Sequence, residues 1–373
     1  MTARNKEIQK MQWLKFSWKV FIMILCGLFT RPDDNYDFHR FPSLEKKESI
    51  KLHFKNKIIK IYFWLKYMGC LYLNMPKFFK AYQLLNDKES KELFIRLILY
   101  KILGWKHIKI KHDCGWSDIK KLFLSVEKFY VGLSEIAVKN HLHGNLNHYE
   151  HVPVGSKKIT LDCWEGSIVY ALLKKQYYFE RNEIHIKPSI GDSIIDAGGG
   201  FGDTSIIFAN EIGEHGKVYV FDPLPIHGAI IRKNIKQNQL KDQVFYFPYA
   251  VSECSNNIKF IGEFSQNLNP GFRLPDDSTF PITSIDDFIH NHGVNKVDFI
   301  KMDIEGHELS ALKGAIRTLK KFKPKLAISI YHCNEDFYSI PLWITQALGG
   351  VYHFYIEHYT IYAEETILYA IAD

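Results

Sequence analysis

From Lys157 onward, short runs of apolar residues alternate with stretches whose apolar positions recur every three or four residues. The first pattern predicts strands at 193–197, 217–221, 244–251, 257–262, 297–302, 325–330, 352–358 and 366–372, after an earlier one at Ile159-Thr160-Leu161. The second predicts helices at 203–211, 224–237, 284–290, 307–320 and 335–347, and one through Tyr177 and Tyr178. Strand–helix alternation with short loops argues for a parallel, doubly wound α/β sheet, where ligands bind beyond the C-terminal strand ends at the point where strand order reverses. The last two strands, joined by a short connection, read as an antiparallel hairpin closing one edge. Residues 1–150 differ, with helical spacing in Ile58-Ile59-Tyr62-Phe63-Leu65 and Leu93-Phe94-Leu97-Ile98 and few turn signals. A mainly helical region over 1–150 and an α/β domain over 157–373 are therefore expected.

The first candidate for chemistry is Asp196-Ala197-Gly198-Gly199-Gly200-Phe201-Gly202, set between the apolar run Ser193-Ile194-Ile195 and the helix-like Thr204-Ser205-Ile206-Ile207-Phe208-Ala209. Glycines let a backbone turn sharply and approach a ligand closely. A dinucleotide fingerprint set on Gly198 and Gly200 needs glycine at 203 and finds Asp203, an acid where a pyrophosphate would sit. A P-loop needs a lysine, and the turn has none. These points disfavour NAD and ATP. The acid-x-Gly-x-Gly-x-Gly turn instead resembles motif I of the class I S-adenosylmethionine (SAM) methyltransferases, whose cofactor carries no phosphate. Twenty residues after Gly202, Lys217-Val218-Tyr219-Val220-Phe221 ends in Asp222-Pro223, where an acid can accept both ribose hydroxyls. The expected cofactor-binding residues are Asp196, Gly198, Gly200, Gly202 and Asp222.

A second block, Val297-Asp298-Phe299-Ile300-Lys301-Met302-Asp303-Ile304-Glu305-Gly306-His307-Glu308, concentrates charge at the end of a buried strand. Its K-x-D-I/V-E-G-x-E pattern, at this distance after the glycine turn, resembles the hallmark of the FkbM-type SAM-dependent methyltransferases. Thr283-Ser284-Ile285-Asp286-Asp287 and Leu312-Lys313-Gly314-Ala315 fit the same pattern, and the resemblance covers about residues 160–373. His332 with Asp336, and His358-Tyr359, are similar to one subgroup, although Glu357 stands where that subgroup has a basic residue. The resemblance implies a class I SAM-methyltransferase fold and transfer of a methyl group, most simply to a hydroxyl of a sugar, glycan or secondary metabolite, in polysaccharide biosynthesis.

An alcohol loses its proton as it is methylated, and histidine is the base best matched to neutral pH. His332, at the same sheet edge as Asp303, is the expected base, with Asp303 and Glu305 orienting the acceptor or a cation and Lys301 pairing with them. Lys301 with Glu308 as a structural ion pair, and His358 as a core histidine, are the plainer alternatives. No metal is assigned.

Charge is uneven: residues 1–150 hold 27 Lys and Arg against 14 Asp and Glu, whereas 151–373 hold 21 against 27. The basic half carries neither interleaved stacking aromatics nor a zinc finger, which disfavours nucleic acid. Val20 to Phe29 is an apolar run of ten preceded by Arg4, Lys6, Lys10, Lys15 and Lys19. That is shorter than the roughly 20 residues a membrane span needs, and Leu28-Phe29-Thr30-Arg31-Pro32 has no small-residue cleavage site. A buried helix and a peripheral contact with the inner membrane face both fit. The cysteines at 26, 70, 114, 163, 254 and 333, without any C-x-x-C, suit free thiols in a reducing cytoplasm. His141, His143, His148 and His151, on a polar Gly/Asn stretch, read as a solvated linker rather than a metal site. Two other functional classes remain open: a non-catalytic SAM-fold scaffold in a glycan-synthesis complex, and an NAD-dependent oxidoreductase, against which Asp203 speaks.

Overall fold

The computed structural model describes residues 3–29, 35, 69, 71–111, 115–140, 144–259 and 279–373. The helical spacing at 58–65, His141, His143, Cys70, Cys114 and the end of the strand expected at 257–262 lie outside them. The chain divides into two compact units, residues 1–120 with 360–365, and residues 121–359 with 366–373.

The first unit is helical. The helix Ala3–Phe29 is followed by helical residues 71–84 and the helix Lys88–Leu103. Asp87 caps the last of these by accepting the Ser90 N–H at 2.6 Å, and Gly104 ends it at a φ of 78°. No helix among the described residues is long and apolar enough to cross a membrane.

The second unit is built on a seven-stranded sheet. We number its strands β1 (Ser193–Ala197), β2 (Lys217–Phe221), β3 (Val244–Phe247), β4 (Phe299–Met302), β5 (Lys325–Ser329), β6 (Tyr352–His358) and β7 (Thr366–Ala372). Their spatial order is β3-β2-β1-β4-β5-β7-β6. The first five are parallel, and β7 runs antiparallel to both β5 and β6, so the C-terminal hairpin closes one edge as expected. Every residue of β1 and β4 is buried, the mark of parallel strands covered on both faces. Strand order reverses between these two, with Lys301 opposite Asp196 and Met302 opposite Ala197. A ligand crevice therefore belongs at their C-terminal ends.

The resemblance motifs outside this crevice are structural. Asp286 accepts the backbone N–H groups of Arg317 and Thr318 and the Thr318 hydroxyl, each at 2.7 to 2.8 Å, thereby capping the helix Ile316–Phe322. Gly314 lies where a Cβ would come within 2.1 Å of the Ser252 carbonyl oxygen. The helix expected at 307–320 is divided there into Glu308–Lys313 and Ile316–Phe322.

Other expectations need correction. Tyr177 and Tyr178 follow the helical stretch 165–173 in a turn instead of lying within a helix. The strand expected at 244–251 breaks into Val244–Phe247 and Ala250–Val251. Tyr130–Leu133 and Asn147–Val154 are strands and not helix: they pair antiparallel, and the latter also pairs with Lys157–Cys163 in a three-stranded sheet. His148 belongs to this sheet, its Nδ1 2.7 Å from Asp162 Oδ1, and is no solvated linker.

Asn234, on the helix Pro225–Gln237, ties this small sheet to the glycine turn. Its Oδ1 accepts the Asp162 N–H at 2.8 Å, while Nδ2 donates to the carbonyls of Asp162 at 3.0 Å and Phe201 at 2.7 Å. Since Asn234 is fully buried, Asn234→Ala strands these groups and should cost about 2–4 kcal/mol, measurable as a lowered denaturation midpoint.

Candidate active site

The glycine turn leaves β1 with Gly198, Gly200 and Gly202 at φ angles of 79°, 53° and 78°, a region that favours glycine. Each has a separate reason. A Cβ on Gly198 would stand 1.8 Å from the Asp303 carbonyl oxygen, so only glycine lets the turn pass so near the end of β4. Gly200 has nothing within 4 Å of the place a Cβ would take, and its N–H donates to Asp222 Oδ2 at 3.0 Å. Gly202 caps the helix Asp203–Ile212.

Asp196 was expected to touch a cofactor, yet it is fully buried and occupied by its own chain. Its Oδ2 accepts the hydroxyls of Thr204 at 2.7 Å and Ser205 at 2.5 Å, and Oδ1 lies 3.1 Å from Lys301 Nζ. It fixes the turn instead of presenting oxygen to a ligand. Lys301, also buried, donates from Nζ to the Gly198 carbonyl at 2.6 Å and sits 5.1 Å from the Tyr177 ring centre. Burial pulls its pKa down, but Asp196, Asp303 and Asp203 outweigh that and raise it. Its ion-pair partner is thus Asp196, in place of the expected Asp303, Glu305 or Glu308.

Asp222, at the end of β2, accepts from the N–H groups of Gly200 and Leu224, both at 3.0 Å, and faces His227 Nδ1 at 2.9 Å. A carboxylate offers about four acceptor positions. Three are thus engaged within the chain.

Beyond β4 and β5, acids converge on one histidine. His332 Nδ1 is 2.9 Å from Glu308 Oε1, and Nε2 is 3.4 Å from Asp303 Oδ1 and 3.6 Å from Glu305 Oε2. Burial lowers the pKa of His332, but Glu308, Asp303 and Glu305 push it up to about 10. Contrary to expectation, His332 is therefore a cation at neutral pH and holds no lone pair for a proton. Asp303 accepts the Tyr177 hydroxyl at 2.7 Å and the Tyr331 hydroxyl at 3.2 Å. Burial would raise its pKa, yet His332, Lys301 and the Tyr177 hydrogen bond lower it. Glu305 differs. Its backbone is left-handed at a φ of 57°, its side chain is 45% exposed, and burial of the remainder, with Asp303 and Glu308 nearby, pushes its pKa up to about 7.

The structure thus brings Asp303, Glu305 and His332 together and sets Lys301 behind them against Asp196. One ligand atom each from Asp303, Glu308 and His332 lies within 4.8 Å of the others, so the group has the dimensions of a chelate, although here it is compensated as ion pairs. His358 is a core residue, its Nδ1 2.8 Å from the Thr366 hydroxyl. Glu357 pairs with Arg181 at 2.6 Å.

Sequence reasoning missed Tyr177, Tyr331 and the role of Glu308 as the nearest partner of His332. Tyr331 adjoins His332 in sequence and could have been found. Tyr177 lies 126 residues from the carboxylate it serves and gave no local signal.

Residues 196–352 match the family model of the methyltransferase FkbM domain. No curated protein matches the chain. Among solved structures, the methyltransferase FkbM of Methylobacillus flagellatus is 18% identical with a TM-score of 0.53, over 81% of this chain and 60% of that one. The chain thus spans 60% of that relative, and the likeness speaks for the fold. Aeropyrum pernix fibrillarin, solved with natively bound S-adenosyl-L-methionine, is 14% identical with a TM-score of 0.34, over 64% of this chain and 100% of that one. An O-methyltransferase from Bacillus cereus, solved with SAH, is 12% identical with a TM-score of 0.33, over 69% and 90%.

Two outcomes follow from the geometry. Gly198→Ala should destabilise the fold by more than about 3 kcal/mol through the clash with Asp303 together with backbone strain. Gly200→Ala, strained alone, should lose only about 1–2 kcal/mol, and paired denaturation curves test the difference. Because the folded-state pKa of His332 lies above 6.5, its stabilisation is complete below that pH and fades as pH rises through about 10. Ring NMR should find His332 protonated at pH 8 in the native protein, and Glu308→Gln should move its titration to lower pH.

Proposed function

We propose that the chain, which carries a methyltransferase FkbM domain over residues 196–352, transfers a methyl group from S-adenosyl-L-methionine to a hydroxyl of a sugar, glycan or secondary metabolite. The observation that carries this reading is the meeting, at the switch point of one sheet, of an open glycine turn and a compensated acid–histidine cluster. The residues present fit the cofactor, since the backbone at Gly200 is open to close approach and Asp222 stands beside it at the end of β2. When bound, S-adenosyl-L-methionine supplies an electrophilic methyl group on a phosphate-free sulfonium, consistent with a turn that holds no lysine.

The Gly198–Gly202 backbone and Asp222 would hold the cofactor, while the loops after β4 and β5 would hold the acceptor. Alignment of the two reactants accounts for roughly 7–11 kcal/mol of the barrier in reactions of this kind. Glu305 takes the acceptor proton: its pKa of about 7 suits a base working near neutrality, and its partial exposure lets the proton leave to water. His332, held as a cation, orients Asp303 and Glu305, and the Tyr177 and Tyr331 hydroxyls fix Asp303. A cytoplasmic setting agrees with the lack of any disulfide among Cys26, Cys163, Cys254 and Cys333.

Isothermal titration with S-adenosyl-L-methionine, and separately with NAD, tests the reading. The protein should bind the first and not the second, Asp222→Ala should weaken binding by more than about 100-fold through loss of a buried charged hydrogen-bond acceptor, and Glu305→Gln should leave it intact. A folded, monodisperse protein that binds no S-adenosyl-L-methionine would contradict the reading and favour a scaffold.

A further inference from the structure

The helix Ala3–Phe29 carries apolar residues on two opposite faces, and among the described residues of its unit only one of these faces is covered. On the covered face Phe16, Val20 and Gly27 are buried. The Phe16 ring lies 5.4 Å from Phe79 and 4.8 Å from Tyr82, and His107 Nδ1 stands 3.0 Å from the Gly27 carbonyl. On the other face Met11, Leu14, Trp18, Ile22, Leu25 and Phe29 recur every three or four residues and are all exposed, Trp18 by 64% and Phe29 by 88%. At about 1.5 Å per residue this stripe runs roughly 27 Å along the helix, longer than the scattered apolar exposure of an ordinary surface.

Charge decides what covers it. At about 100° per residue, Lys10 falls on one flank of the stripe and Lys15 and Lys19 on the other. No acidic residue occurs from Ile8 to Phe29. Two positive borders around a Trp- and Leu-bearing stripe complement a plane of anionic headgroups over acyl chains, where lysine stems can lie along the apolar surface with their ammonium groups in the phosphate layer. A partner helix of this protein's own kind would bring lysines against lysines. We propose that this helix lies flat in the interface of an anionic lipid bilayer, with Trp18, Ile22 and Leu25 in the acyl boundary and Lys10, Lys15 and Lys19 on the headgroups. The inference concerns the helical unit alone and stands whether or not the second unit transfers methyl groups.

The test is flotation of the full chain with vesicles of phosphatidylcholine alone and of phosphatidylcholine mixed with phosphatidylserine, with tryptophan fluorescence recorded in parallel. The protein should float with the anionic vesicles, bind the neutral ones far more weakly, release as salt is raised, and shift its emission to the blue. Lys15→Glu with Lys19→Glu should weaken binding to anionic vesicles by about twenty-fold or more. Trp18→Ser with Leu25→Ser should weaken it by at least about ten-fold even at low salt, where charge alone would persist. Both pairs lie on the helix surface, and an unchanged circular dichroism spectrum verifies folding. Failure to float with anionic vesicles, or binding that neither pair of substitutions alters, overturns the proposal. So does a native dimer that Trp18→Ser with Leu25→Ser converts to monomer, which would assign the stripe to a second copy of the chain.

Discussion

One buried ammonium group holds the two central strand ends together. Lys301 Nζ reaches the Gly198 carbonyl and the Asp196 carboxylate across the β4–β1 register, while the Asp303 carbonyl presses against Gly198 where any side chain would stand. The acid and glycines of the first block and the lysine and acid of the second are therefore parts of one device. Its removal would leave Asp196 buried without a counter-charge, which is more costly than never having had the pair. Because Asp196 also anchors Thr204 and Ser205, the start of the following helix depends on the same ammonium.

The arrangement also sorts the acids by function. Asp196 and Asp303 are pinned by donors from their own chain behind the site, and the pKa of Asp303 is lowered there. Glu308 spends one oxygen on His332 and on the backbone N–H groups of Ile304 and Gly306, organising the loop after β4. Only Glu305, turned outward by its left-handed backbone, combines partial exposure with a pKa near neutrality. Environments that push neighbouring groups apart in pKa mark acid–base roles, and here they separate His332, charged at neutral pH, from a group able to gain and lose a proton near neutrality.

Much of this was legible in the chain. The bounds of β1, β2, β6 and β7 follow from apolar runs closed by glycine, proline or charge, and the hairpin from its short connection. The convergence of Asp303, Glu305 and His332 followed from their places after adjacent strands. What escaped depends on contacts that local sequence does not encode. Asp196 looks like a ligand residue because of where it stands, and only its burial against Lys301 shows otherwise. His332 looks like a base until three carboxylates are seen around it. The strands within 130–154 carry enough polar residues, as in Asn147-His148-Tyr149-Glu150, to hide the alternation that would reveal them. At Gly314, where the helix breaks, a side chain would meet the Ser252 carbonyl, far away in sequence.

In the function proposed for this chain, the C-terminal ends of the central strands hold a methyl donor in the glycine turn and an acceptor at the acid–histidine cluster. The most direct measurement is a crystal structure of the protein grown with S-adenosyl-L-homocysteine. The ribose should lie against Asp222, the adenosyl group along Gly198–Gly202, and the sulfur should face Asp303 and Glu305. S-adenosyl-L-homocysteine density elsewhere on the chain, or a ligand whose sulfur faces away from these acids, would contradict this.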